Sequence, residues 1–139
     1  MLDTNTEWGK HAEQRLRSDL IGWLTTVSSS GKPFTVPIWF LWDGNSILLF
    51  SQPGKLKLRN IQQNPHVTLV LDDTKGGVDI VIVEGTAEHL QDPNLKATLP
   101  EYVQKYIAKM KAMGWTAEQM ASNYSEPIRI TPTKIRAWG

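Results

Sequence analysis

The chain contains no cysteine. Disulfide bonds, cysteine nucleophiles and cysteine-bound metals are therefore excluded, and the composition fits a reducing compartment. No apolar run approaches the roughly 18 residues that a membrane-spanning helix needs. The opening residues, MLDTNTEWGKHAEQ, are polar and lack the apolar stretch of a signal peptide. We therefore expect a cytoplasmic protein that does not enter a membrane.

Several patterns that carry catalysis are also missing. The three histidines His11, His66 and His89 are far apart, and none has a neighbour at metal-ligand spacing, so we predict no metal site. There is no G-x-S-x-G motif for a hydrolase and no G-x-G-x-x-G motif for a Rossmann cofactor site. Asp72 and Asp73 are adjacent, which favours a turn over a catalytic carboxylate pair. The sequence therefore leaves the catalytic residues unknown.

The charge balance argues against nucleic acid as a partner. The net charge is +1, and the lysines do not form a stripe interleaved with aromatic residues. The length of 139 residues corresponds to a single domain spanning residues 1–139, and an apolar fraction of 40% is enough for a core.

The pattern of short β-branched segments predicts a protein that is mainly β with flanking helices. Short links between strands favour antiparallel pairing, and closure into a barrel would remove exposed edges. Six strands are predicted over residues 21–28, 33–41, 46–51, 66–71, 79–90 and 127–138. Helices are predicted over residues 6–18, 55–63, 100–113 and 116–123, with a further helix start at Asp92-Pro93 and a flexible connection over 73–77.

Two residues indicate irregular strands. Pro37 has no backbone N–H, so its strand is expected to be an edge or to contain a bulge, which leaves neighbouring backbone groups unpaired. Gly85 lies inside the longest predicted strand, which indicates a bulge or a bend.

The predicted helix over 55–63 has a basic first turn. It carries Lys55, Lys57 and Arg59, although the positive end of the helix dipole disfavours cations there. A bound anion would reverse that balance, because free N–H groups, the dipole and the lysines would all attract it. The residues therefore indicate a phosphate site, the alternative being solvated surface lysines.

Four segments in a fixed order resemble one known family. They are residues 31–40 (GKPFTVPIWF) together with 42–44 (WDG), residues 51–67 (SQPGKLKLRNIQQNPHV), residues 83–87 (VEGTA) and residues 128–139 (IRITPTKIRAWG). This order is similar to that of the pyridoxamine 5′-phosphate oxidase-like superfamily, the split-barrel flavoproteins. Within it the chain most resembles the small branch of enzymes that use the deazaflavin coenzyme F420.

The resemblance implies a fold, a cofactor and a site. The fold would be a six-stranded antiparallel split β-barrel of the FMN-binding type, the cofactor FMN or coenzyme F420, and the assembly a homodimer with cofactor sites at the interface. Lys57, supported by Lys55, would hold the cofactor phosphate, and Ser51 and Gln52 would line the same pocket. The ring would lie along Val36, Pro37, Ile38 and Trp39, with Trp138 approaching it, from the other subunit in one arrangement.

The resemblance also implies a function. It would be an oxidoreductase that transfers hydride between the flavin or deazaflavin and a small organic substrate. The alternative is a non-catalytic flavin or haem-type binder on the same scaffold. Oxidation of vitamin B6 itself is not expected, because the final strand offers Arg129, Lys134 and Arg136 without the histidine of true pyridoxamine phosphate oxidases.

Overall fold

The computed structural model describes residues 2–72 and 75–139. The predicted connection over 73–77 includes Asp73 and Thr74, which lie outside the described residues, as does the second member of the Asp72-Asp73 pair. The helices are α1 (Glu7–Ser18), α2 (Leu56–Gln63), α3 (Pro100–Met113) and α4 (Ala117–Asn123). The strands are β1 (Gly22–Val27), β2 (Pro33–Ile38), β3 (Leu41–Trp42), β4 (Ile47–Ser51), β5 (His66–Leu71), β6 (Ile80–His89) and β7 (Glu126–Trp138).

All strands belong to one antiparallel sheet with the order β2-β1-β5-β6-β7-β4-β3. Strands β2 and β3 are at opposite ends of that order, yet only Trp39 and Phe40 separate them in the chain. A link of that length spans at most roughly 11 Å, so the sheet must curl until its two ends approach each other. The prediction of an antiparallel split barrel with flanking helices is confirmed.

The prediction of six strands is corrected to seven in the described part of the chain, because the segment over 33–41 is divided. At the division, the N–H of Phe40 donates to the Tyr106 hydroxyl oxygen at 2.8 Å instead of to a strand. The Phe40 carbonyl accepts from Lys105 Nζ at 2.7 Å. Side chains of α3 thus satisfy the backbone that a continuous strand would have paired, and β3 begins after them.

The helix start predicted at Asp92-Pro93 is wrong. Asp92 instead forms a turn, in which its side chain accepts from the N–H of Asn94 at 2.9 Å and its carbonyl from the N–H of Leu95 at 3.1 Å. Asp side chains compete in this way with helix formation.

The other predicted helix ends are confirmed. The Thr6 side chain accepts from the N–H of Gly9 at 3.0 Å and caps α1. Thr116 and Gln119 form a reciprocal capping box at the start of α4. Gly114 ends α3 in the left-handed conformation, with φ of 74°.

Two apolar clusters lie on either side of the sheet. The first fills the curled sheet and includes Leu24, Leu69 and Ile130, with Leu16 of α1 and Ile61 of α2 packed against it. The second lies between β4 and the helices α3 and α4. Strand β4 is buried on both faces because it lies between these clusters. No helix in the described part of the chain is long and apolar enough to cross a membrane.

The bulge predicted at Gly85 is confirmed, and it makes Gly85→Ala a specific test of the sheet. The register of β6 against β7 shifts between Glu84 and Gly85. A Cβ at Gly85 would lie 2.5 Å from the Thr131 carbonyl oxygen, which is backbone and cannot rotate away. We expect Gly85→Ala to lower the free energy of unfolding by about 1–3 kcal/mol in urea denaturation.

Gly22→Ala is the matched control for this substitution. The three atoms nearest to a Cβ there all belong to the Leu69 side chain, with Cδ1 at 2.8 Å, and a side chain can adjust its rotamer where a carbonyl of the sheet cannot. It should therefore cost less than Gly85→Ala. Equal losses in the two variants would contradict the close backbone approach at the bulge.

Candidate cofactor site

A cavity of about 670 Å³ lies where β2, the end of β4, the start of α2 and the helices α3 and α4 meet. We call it the first cavity. It is lined by Phe34, Val36, Pro37, Ile38, Trp39, Phe50, Gln52, Lys55, Leu56, Lys57, Tyr102, Lys109, Ala112, Met113, Met120 and Tyr124.

Most of the site residues expected from the sequence meet in this cavity. Those that line it are Val36, Pro37, Ile38, Trp39, Gln52, Lys55 and Lys57. Ser51 and Trp138 do not line it. Ser51 is fully buried and its hydroxyl donates to the Gln52 carbonyl at 2.8 Å, so it shapes the end of β4. Trp138 lies at the end of β7 opposite Ile80 and is 47% exposed.

One end of the first cavity is cationic. The exposed Lys55 is the N-cap residue of α2, its side chain forms no capping hydrogen bond, and the first turn of the helix carries no acidic residue. Lys57 is partly buried, and burial together with the charge of Lys55 lowers its pKa. Neither lysine has an ion-pair partner among the described residues. A phosphate fits this end, because it would accept from the free N–H groups of the helix and neutralise the two cations.

The position of α2 is fixed by buried contacts. Leu58 and Ile61 enter the core of the curled sheet. Asn60 is buried, and its side-chain amide donates to Thr26 Oγ1 of β1 at 3.0 Å. The cationic turn is therefore held by residues on the opposite face of the same helix, which favours a rigid anion site.

A planar ring fits the wall that β2 provides. This strand is at the sheet edge and pairs with β1 alone in the described ranges, so the backbone polar groups on its outer side have no strand partner. The edge position predicted from Pro37 is confirmed. Beyond the strand, Trp39 stacks on Tyr106 with ring centroids 4.5 Å apart and planes 2° apart. The wall thus combines apolar surface with outward backbone groups that are mostly carbonyl acceptors, because Pro33 and Pro37 have no N–H.

The opposite wall comes from α3 and α4, and sequence reasoning did not assign it to the site. It contributes Tyr102, Lys109, Met113, Met120 and Tyr124. In the sequence, Tyr102, Tyr106 and Met110 recur at helical spacing, which predicts that they share a buried face of α3 but not which surface covers it. Burial raises the pKa of Tyr102, and the neighbouring Tyr106 and Tyr124 raise it further, so the phenol stays neutral at physiological pH.

The described lining holds no carboxylate and no imidazole. Its ionisable groups are three lysines and two tyrosines, all of which are donors in their ordinary protonation states. Such a surface can bind an anion at one end, accept a flat apolar body along β2 and exclude water.

Comparison with known proteins identifies the family. A family profile described as pyridoxamine 5′-phosphate oxidase matches residues 9–139, nearly the whole chain. The chain therefore belongs to the pyridoxamine 5′-phosphate oxidase family, as the order of its motifs indicated. A comparison with curated proteins found no match.

Solved structures share the fold. An F420 reductase is 24% identical, with a TM-score of 0.66 over 89% of this chain and 94% of that protein. A conserved hypothetical protein of Mycobacterium tuberculosis is 23% identical, with a TM-score of 0.75 over 96% of this chain and 84% of that protein. The haem storage protein HutZ of Vibrio cholerae is 15% identical, with a TM-score of 0.63 over 94% and 92%. At these identities the likeness concerns the fold.

Proposed function

We propose that this protein is an oxidoreductase that binds FMN or coenzyme F420 in the first cavity and transfers hydride between it and a small organic substrate. The observation that carries the proposal is the joint placement of Lys55, Lys57 and the β2 edge around one cavity. The first cavity therefore offers an anion site at the start of α2 and a flat wall along β2, and the fold fixes the distance between them. The names of solved structures with this fold, an F420 reductase and an FAD-binding protein of Mesorhizobium loti, support the same class of cofactor.

Each part of the cavity has a separate role in this proposal. Bound there, a flavin or deazaflavin supplies the hydride chemistry. Lys57 and Lys55 hold its phosphate, and the outer backbone of β2 orients the polar edge of its ring. Met113 of α3 and Tyr124, the residue that follows α4, cover the substrate side and exclude water.

Oxidation of the reduced, protein-bound cofactor tests the catalytic part of the proposal. The protein is loaded with FMN or F420 and reduced without oxygen. It is then mixed with a quinone or with an alkene conjugated to a carbonyl. We expect the bound cofactor to be oxidised faster than the free cofactor by at least one acceptor. If it stays bound but never reacts faster than in solution, the protein is a carrier or sensor instead.

A non-catalytic haem-type binder is the second candidate. It is supported by the name of HutZ, a haem storage protein with this fold. Against it, no histidine lines the first cavity in the described part of the chain. A Soret band after addition of haemin, without binding of FMN or F420, would favour this candidate.

We also propose a cytoplasmic homodimer with the cofactor sites at its interface. Large exposed apolar side chains support an interface, among them Trp23 at 40% and Phe34 at 37% exposure. Trp138 lies outside the cavity of its own chain, so in this proposal it approaches the cavity of the partner subunit. Light scattering coupled to gel filtration tests this assembly, and a monomeric mass at micromolar concentration would contradict it.

A further inference from the structure

A second cavity, of about 630 Å³, lies beside β3 at the start of α3. It is bounded by apolar side chains that include Leu41, Trp42 and Leu99, and by the charged residues Lys105 and Arg129. None of its lining residues lines the first cavity. Helix α3 separates the two, because Glu101, Gln104 and Lys105 face the second cavity, whereas Tyr102 and Lys109 face the first.

Arg129 brings to this cavity a guanidinium whose Nε is unpaired. It lies near the start of β7, opposite Leu48 of β4 and Glu88 of β6. Its Nε is buried and has no hydrogen-bond partner, and no ion pair to Arg129 forms within the described ranges. A buried donor left unpaired is costly and rare in native proteins. This atom therefore indicates an acceptor that the protein chain does not supply.

Lys105 is a second cation of this cavity, and it forms no salt bridge with a carboxylate of the described residues. Its Nζ donates to the Phe40 carbonyl at 2.7 Å and lies 3.8 Å from the centroid of the Phe40 ring. Burial lowers the pKa of Lys105 to about 8, although the negative charge of Asp19 acts to raise it. Glu101 precedes Lys105 by one helical turn but forms no salt bridge with it. An ammonium group has three donors, and only the Phe40 carbonyl accepts from Lys105. The other two donors therefore have no hydrogen-bond partner in the described part of the chain.

Two of the other charged groups around the second cavity, Arg17 and Asp43, have partners of their own. Arg17 pairs with Glu13 at 2.6 Å. The Asp43 carboxylate accepts from the backbone N–H groups of Asn45 and Ser46 at 2.8 and 2.7 Å. The charge of Arg129 also lowers the pKa of Asp43, and Glu101 is a carboxylate without an ion-pair partner among the described residues. Within the described ranges, Lys105 and Arg129 are the cations of this lining that form no salt bridge, and they lie beside an apolar wall.

We propose that the second cavity is a binding site for an organic monocarboxylate with a small apolar body. Its carboxylate would accept hydrogen bonds from Arg129 and Lys105, and its body would contact Leu41, Trp42 and Leu99. Three cations and two carboxylates line the cavity, which leaves a single net positive charge. That charge matches a monoanion better than a phosphate dianion. The inference needs no cofactor in the first cavity.

Hexanoate is the probe that tests this site, with hexanamide as the uncharged control. In ¹⁵N-labelled protein, the Nε–H signal of Arg129 reports binding at the proposed contact, and calorimetry gives the affinity. We expect hexanoate to shift that signal to saturation and hexanamide to leave it unchanged. Lys105→Met and Arg129→Gln should each weaken hexanoate binding on the order of tenfold, the effect of one charged hydrogen bond.

Two control variants separate this site from other cationic surface. Lys111→Met removes an exposed lysine from the same helix, and Lys57→Met removes the cation of the first cavity. Both should bind hexanoate as the wild type does. Absence of saturable binding, equal binding of hexanamide, or a loss in Lys57→Met but not in Lys105→Met would overturn the proposal. If Arg129→Gln does not fold, Lys105→Met and the wild-type Nε–H signal still decide the question.

Discussion

Replacing Lys57 with methionine is expected to weaken binding of FMN or F420 by about 1.5–3 kcal/mol, or roughly ten- to more than a hundredfold in Kd. Lys57 lines the first cavity, is partly buried and has no ion-pair partner in the described part of the chain. Its charge is therefore available to a phosphate and is less screened by water than that of an exposed lysine. Methionine keeps the length of the side chain and removes only the charge and its donors. Fluorescence titration of the two proteins gives the ratio of Kd values.

Arg59→Met is the matched control for Lys57→Met. Arg59 has the same charge and lies in the same turn of α2, but it is exposed and does not line the first cavity. It should change the Kd less than threefold or so, the effect of a screened surface charge. Equal losses in the two variants would mean that the helix attracts the cofactor only through its general charge. Unchanged affinity in Lys57→Met would show that the cofactor phosphate does not bind at Lys57.

Replacing Tyr106 with alanine is expected to destabilise the protein by about 3–5 kcal/mol, because a large aromatic side chain is removed from the core. Tyr106 is fully buried and stacks on Trp39. Its hydroxyl accepts from the N–H of Phe40 at 2.8 Å and donates to the Leu20 carbonyl at 2.7 Å. Urea denaturation followed by circular dichroism measures the loss.

Tyr106→Phe isolates the hydroxyl in the same experiment. It leaves the buried N–H of Phe40 without an acceptor, so we expect a loss of about 1–3 kcal/mol. Tyr102→Phe is the control, because the Tyr102 hydroxyl has no hydrogen-bond partner among the described residues. Tyr102→Phe should be close to neutral. A loss in Tyr102→Phe as large as in Tyr106→Phe would contradict the role assigned to Tyr106 in holding the link between β2 and β3.

Features that depend on local chemistry were predictable from the sequence. The cap at Thr6, the capping box of Thr116 and Gln119, the bulge at Gly85 and the edge position of Pro37 each follow from one or two neighbouring residues. The antiparallel fold was also predictable locally, because the short links between strands leave little choice of pairing.

Features that depend on distant partners were not predictable in this way. The division at Phe40 is caused by Tyr106 and Lys105, which lie more than sixty residues later in the chain. The facing wall of the first cavity depends on where α3 packs, and periodicity gives only which face of a helix is buried. In the sequence Arg129 is an ordinary strand residue, and only the structure shows the cavity beside it.

The site itself was partly accessible to sequence reasoning. The basic first turn of α2 and the edge strand β2 were both predicted, and the curl of the sheet brings them to one cavity. Ser51 belongs to the same motif, but its hydroxyl donates a hydrogen bond to the Gln52 carbonyl within the protein. A motif therefore gives the segment of a site, while the hydrogen bonds decide which of its side chains remain free.

An equilibrium titration of the purified protein with FMN and with F420 tests the central claim most directly. Trp39 lies in the wall of the first cavity, so a ring bound along β2 should quench tryptophan fluorescence. We predict saturable quenching by at least one of the two cofactors, at a stoichiometry of one per chain, and a weaker response in Lys57→Met. Absence of saturable binding by either cofactor would mean that Lys55 and Lys57 are surface cations and that the first cavity is not a flavin or deazaflavin site.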